Sequence, residues 1–138
     1  MLAVSTKKFR TNVRADFPTP NRRIIYLRPL LERAIREFLT TDLRIGMFEF
    51  DAKGPSYELD ARHISHHVDH VYIDHDGYMW IEVTFTDTNL GRLAALVPDL
   101  IEPSVVAIGF CGWDDTSNVV EEAALIHFNL AWKLNKPL

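Results

Sequence analysis

The residues of this 138-residue chain that could do chemistry are few, and they crowd into one stretch. Four of the six histidines are His63, His66, His67 and His70, with Ser65 and Asp69 among them. On a helix, histidines four apart share a face and can share a zinc ion. The stretch Ile64 to Ile73, however, carries Val68, Val71, Tyr72 and Ile73, a β-branched and aromatic content that reads as a strand. On a strand, residues four apart stand about 13 Å from each other, too far for one ion. Strand alternation also sends Asp69 to the face opposite His66 and His70. The sequence therefore offers no metal site, and these side chains read as a polar strand face whose charge follows pH. Nucleophilic catalysis needs Ser, Thr or Cys beside a base. Cys111, the single cysteine, follows an apolar run and reads first as a small core filler. Ser65 and Ser104 stand in no motif of their own, and Gly109 and Gly112 are too sparse for a phosphate loop. Spacing alone assembles no active site and no cofactor site.

The elements that must position these residues are easier to read. Met79, Ile81, Val83 and Phe85 alternate with Trp80, Glu82 and Thr84, the period of a half-buried strand. Between this run and Ile64–Ile73 lies Asp74-His75-Asp76-Gly77, and Asp-Gly is a strong hairpin signal. Thr86 to Asn89 offer capping oxygens to a short helix, Leu90 to Val97, which Pro98 stops. Upstream, Leu30, Leu31, Ala34, Ile35, Phe38 and Leu39 recur at helical spacing behind Pro29, which suits a first turn. Arg23–Leu27 reads as a short strand-like lead and Arg44–Phe50 as a strand. Val105 to Phe110 is an unbroken apolar run, the mark of a strand buried on both faces. Ala124, Ile126, Phe128, Leu130, Trp132 and Leu134 form a long period-two stripe. Val83, Phe85, Phe128 and Leu130 are the expected core. The sum is an α+β domain built on a mainly antiparallel β-sheet or barrel with two or three helices.

Charge is unevenly placed. Residues 1–44 hold ten Lys or Arg against four acidic residues, a net of plus six, while the remainder nets minus ten. Lys7, Lys8, Arg10 and Arg14, followed by Phe17-Pro18-Thr19-Pro20, predict an extended basic arm over residues 1–20, ahead of a single domain over residues 21–138. Those four cations are the candidate partner-binding residues. An acidic body argues against nucleic acid as the partner. No apolar run approaches the ~20 residues of a membrane span, and one cysteine allows no internal disulfide.

Four segments, in order, resemble the prohead core protease of tailed bacteriophages, a fold related to the herpesvirus assemblin proteases. Asn21 to Tyr26 with Leu30 to Ile35 resembles that family's N-x-R-I-Y-P lead and L-E-x-A-I helix. Ile64 to Val71 resembles V-S-H-x-V-x-x-V, and Phe85 to Arg92 resembles the I-L-D-T-P-x-G-R turn into a helix. Asn118 to Glu122 and Leu125 to Leu130 resemble the late N-x-V-x-D-D and L-I-x-F-D-L strand. The resemblance implies a protease-like fold but not its chemistry. Phe50 stands where the family's catalytic His is expected, followed by Asp51 in place of Pro. Fourteen residues past the G-R pair, the expected serines fall on Ala107 and Ile108, with Gly109 in place of Arg. Neither Ala nor Ile can attack a carbonyl. The expectation is a catalytically inactive structural protein of a phage virion, a capsid decoration or cement protein. It would bind the major capsid protein without a cofactor, with a homodimer as a further expected pairing, after assembly in the host cytoplasm. Two alternatives stand beside it: a protease with relocated residues, such as Cys111 with His127 or His66, and a scaffold-stage assembly regulator.

Overall fold

The computed structural model describes residues 5–20, 23–49, 61–113 and 118–133, those at 104–107 and 109–113 by backbone alone. Six strands, β1 (Thr6–Arg14), β2 (Ile45–Glu49), β3 (Ile64–Ile73), β4 (Tyr78–Phe85), β5 (Ile101–Trp113) and β6 (Val120–Trp132), form one sheet in the order β1-β4-β3-β2-β6-β5. Every neighbouring pair is antiparallel except β2 with β6. The two ends of the sheet, β1 and β5, come back into contact, so the sheet is nearly closed. Helices α1 (Arg28–Leu39) and α2 (Asn89–Leu96) pack on it, with single 3-10 turns at Ala61–His63 and Pro98–Leu100. The expected α+β, mainly antiparallel architecture is the one observed.

The central hairpin follows from its turn. Gly77 takes φ of +93°, a conformation open to a residue without Cβ. Asp74 accepts from the amides of Asp76 and Tyr78 at 2.9 and 3.0 Å and from the Trp80 indole at 2.7 Å. That indole hydrogen bond is the main cause of a lowered Asp74 pKa. Helix α2 starts where Thr88 accepts from the Gly91 amide at 3.0 Å. Helix α1 has Pro in its first turn and buries Leu31, Ala34, Ile35 and Phe38. Its Phe38 ring meets Phe128 of β6 edge-on, centroids 5.5 Å apart. Val83, Phe85, Phe128 and Leu130 are all buried, as the periodicity predicts.

Three expectations change. Of the expected arm over residues 1–20, the described residues 5–20 do not lie apart from the domain: β1 pairs with β4 along Thr6–Arg10 and again at Arg14, and it buries Phe9, Thr11 and Val13. Its alternation of inward Phe9, Thr11, Val13 with outward Lys8, Arg10, Asn12 is that of a half-buried strand. Arg23–Leu27 contributes only isolated bridges, through Ile25 to Pro18 and Val119. Ile126 leaves the Phe128 stripe: Ala107 pairs with His127 but Ile108 with Leu125, so Ile126 is the extra residue of a β-bulge. The bulge shifts the phase of β6, burying Leu125 and leaving Ile126 51% exposed. Strand β5 is terminal in the sheet, which suits Pro103, a residue that cannot donate to a second neighbour.

Candidate functional site

The residues singled out for chemistry divide between a sealed seam and an open sheet face. Along the seam, the described residues of β2 and β6 pair through Phe48↔Leu130 and Glu49↔Ala131. Just upstream, side chains take over the role of the ladder. The His66 ring crosses Gly46 to place Nε2 2.7 Å from the Phe128 carbonyl, and Asn129 Oδ1 accepts from the Met47 amide at 3.1 Å. Asn129 Nδ2 in turn donates to Glu49 Oε1 at 3.1 Å. A Cβ at position 46 would stand 2.1 Å from His66 Nε2 and from the Phe128 oxygen, so only glycine admits this crossing. Among the described residues no buried side-chain nitrogen or oxygen lacks a partner.

The chemistry of Ser65 and His66 follows from that geometry. A carbonyl oxygen only accepts, so Nε2 of His66 carries a proton toward Phe128. Burial, the largest cause, together with neighbouring His67 and His127, holds the His66 pKa down to about 4 against the opposing pull of the Phe128 carbonyl. The ring is therefore neutral, its Nδ1 accepts, and Ser65 Oγ donates to it at 2.8 Å. A hydroxyl donating to an imidazole is the contact that activates a serine nucleophile. Here both residues have 0% exposure, and the other ring nitrogen is held by backbone. No peptide carbonyl reaches this oxygen while the sheet is intact.

The position where the resemblance expects the nucleophile, Ala107, lies on β5 with its backbone opposite His127, which is buried. Cys111 pairs with Glu122, four residues further along β5, roughly 13 Å from position 107 at ~3.3 Å per residue. The backbone register thus does not bring Cys111 beside His127 or Phe128, the residue that His66 contacts. Phe50 and Asp51 lie outside the described residues.

The remaining histidines separate. His63 ends the 3-10 turn, and His70 stacks on Tyr72 with centroids 5.7 Å apart. Asp69 is not on the face opposite all of its neighbours, as simple alternation requires. It is the extra residue of a bulge between Val68 and His70, and it binds His67 Nδ1 at 2.8 Å and the Thr84 hydroxyl. Among the described residues no three His, Cys, Asp or Glu side chains gather to hold a metal ion.

The four candidate cations sit on β1, not on a separate arm. Lys7 pairs with Asp99 at 3.2 Å, tying β1 to the turn before β5. Lys8 stands 3.9 Å from Glu82 of β4. Arg14 donates to the Asp76 carbonyl at 2.9 Å and lies over the rings of Phe17 and Tyr78. Arg10 lies over Tyr78, 4.4 Å from the ring centroid. Arg10 is also in register with Trp80, and Trp80 with Tyr72 of β3, whose ring is parallel to the indole within 4°. Sequence reading missed this row of cation and two aromatics, because its members come from three strands and meet only through sheet register.

Fold and site together give a nearly closed, mainly antiparallel sheet in which the Ser65–His66 contact is sealed inside. Among solved structures, the bacteriophage T4 capsid assembly protease gp21 superposes with a TM-score of 0.63, over 92% of this chain and 81% of that one. Sequence identity is 15%, so the likeness is one of fold. No protein-family model and no curated protein matches the sequence.

Proposed function

We propose that this chain is a non-proteolytic phage protein on the prohead-protease fold, a decoration or cement protein bound to the major capsid protein of the virion. The observation that carries the reading is the pairing of a capsid-protease fold with Ala107 and Ile108 at the expected nucleophile. The Ser65–His66 contact, sealed at 0% exposure, is no substitute for it. A scaffold that keeps its packing while its chemistry is absent is suited to a role in surface and assembly. The cations Lys7, Lys8, Arg10 and Arg14 supply the candidate contact, carried on β1. Within this reading the protein resides in the virion capsid after assembly in the host cytoplasm, and self-pairing into a homodimer is compatible with it.

Mass spectrometry of purified mature virions tests the placement: the chain is expected at a copy number commensurate with the capsid lattice. Its absence from mature particles combined with presence in proheads would replace this reading with that of a scaffold-stage regulator. A fluorophosphonate and a thiol-directed probe test the chemistry. Stoichiometric labelling that also abolishes cleavage of capsid or scaffold protein would make the chain a protease.

A further inference from the structure

We propose that the outward face of β1, β4 and β3, centred on the row Arg10–Trp80–Tyr72, is the surface that docks on the capsid. Its occupant is a protein segment carrying a carboxylate beside an aromatic or apolar side chain. The inference rests on the capsid-binding reading and adds the site and the chemistry of the contact. Arg10 is the first ground. Its guanidinium is held over the Tyr78 ring at 4.4 Å and meets no carboxylate among the described residues. A guanidinium held in place against a ring presents a donor fork that matches a carboxylate with little further loss of freedom.

The aromatic pair is the second ground. The Trp80 indole is fixed by its bond to Asp74, and Tyr72 lies parallel to it with centroids 6.4 Å apart. Both rings remain partly exposed on a sheet face that faces away from the core residues Met79, Ile81 and Val83. Locked rings beside an Arg are the composition found where protein interfaces concentrate their binding energy. Charge selects the class of partner. Glu82 sits one row from Arg10, and Asp74 stands behind Trp80. A polyphosphate would meet these carboxylates along its length, whereas a protein segment needs to place only one carboxylate, against Arg10.

Co-sedimentation of the full chain with capsids assembled from the major capsid protein of the phage that encodes it provides the test. The variants are Arg10→Glu, Trp80→Ala and Trp80→Phe, with Arg33→Glu on the distant, exposed side of α1 as control. Thermal melting confirms folding of each. If Trp80→Ala does not fold, the exposed Arg10→Glu decides alone. Arg10→Glu and Trp80→Ala are each expected to weaken binding by about tenfold or more; Trp80→Phe, which keeps a ring but loses the bond to Asp74, weakens it less than Trp80→Ala, and Arg33→Glu stays near wild type. Wild-type binding that Arg10→Glu and Trp80→Ala leave unchanged overturns the face and spares the capsid reading. A wild-type chain that binds no capsid form overturns the capsid reading, and the docking face with it. Fluorescence anisotropy with a labelled oligothymidylate closes the remaining route. Tight binding there that is lost in Trp80→Ala would assign the face to nucleic acid and overturn a protein occupant.

Discussion

Because His66 donates through Nε2 and accepts through Nδ1, a second ring proton would take away the acceptor of the Ser65 hydroxyl and place a charge inside the buried core. The unfolded chain takes up that proton near pH 6.5 and the folded chain only near about 4. Between those values the unfolded state binds more protons, so stability falls as pH falls through the window. The loss across it is about 3 kcal/mol, complete below the folded value and absent above the unfolded one. His66→Gln keeps a donor for the Phe128 carbonyl and cannot titrate. In urea denaturation at several pH values it should be less stable than wild type at neutral pH and show a flatter profile toward acid. An unchanged slope would place the titrating group elsewhere. Gly46→Ala is the steric counterpart, since its Cβ meets both Nε2 and the Phe128 oxygen at 2.1 Å. It should cost about 3 kcal/mol, or abolish soluble expression, because the seam must part to admit a methyl group. None of this was readable from the residues alone. A Ser-His dipeptide looks the same in sequence whether it opens to solvent or crosses a glycine into a core.

At the scale of elements, the bulge at Ile126 makes neighbouring residues of one apparent stripe behave oppositely. Phe128→Ala should cost about 3–5 kcal/mol, as aromatic truncations in cores do. Ile126→Asp should stay within about 0.5 kcal/mol of wild type, as exposed substitutions do. Equal losses in thermal or chemical denaturation would mean that Ile126 faces inward and the bulge is misplaced. The hairpin, both helices and the core faces of β4 could be read from sequence, because turn chemistry, capping and periodicity are local signals. Strand β1 could have been found by the same alternation, but charge and the following prolines argued for an arm, and Thr11 interrupts its apolar row. The Thr11 hydroxyl donates to the Met79 carbonyl at 2.9 Å where the β1 register shifts, which is how a polar residue serves in a buried position. Bulges at Asp69 and Ile126 leave no composition signal of their own, so the faces assigned to those two residues failed while those of Phe128 and Leu130 held. The docking row failed to appear for a related reason: residues 10, 72 and 80 become neighbours only through register.

At the scale of the whole molecule, β1 closes one end of the sheet, so the first residues cannot be trimmed without consequence. Deleting residues 1–16 removes Phe9, Val13 and Ala15 from the core and bares the edge of β4. The truncated chain should lose its cooperative thermal transition and aggregate in light scattering; a sharp wild-type melt would return these residues to the status of an appendage. Charge reversal at Arg10, rather than truncation, is therefore the sound way to separate binding from folding. The parallel seam has a consequence in time as well. Met47 and Asn129 are 82 residues apart in sequence, and the strands they join are the two halves of the sheet. During synthesis, strands β1 to β4 can settle as an antiparallel half while β2 still offers a bare edge. Only when the β5–β6 hairpin has emerged can that edge find its own partner, so closure is the slow, late step. A nascent chain halted before Val120 would carry an unpaired strand, and crowded polysomes are where such edges meet one another.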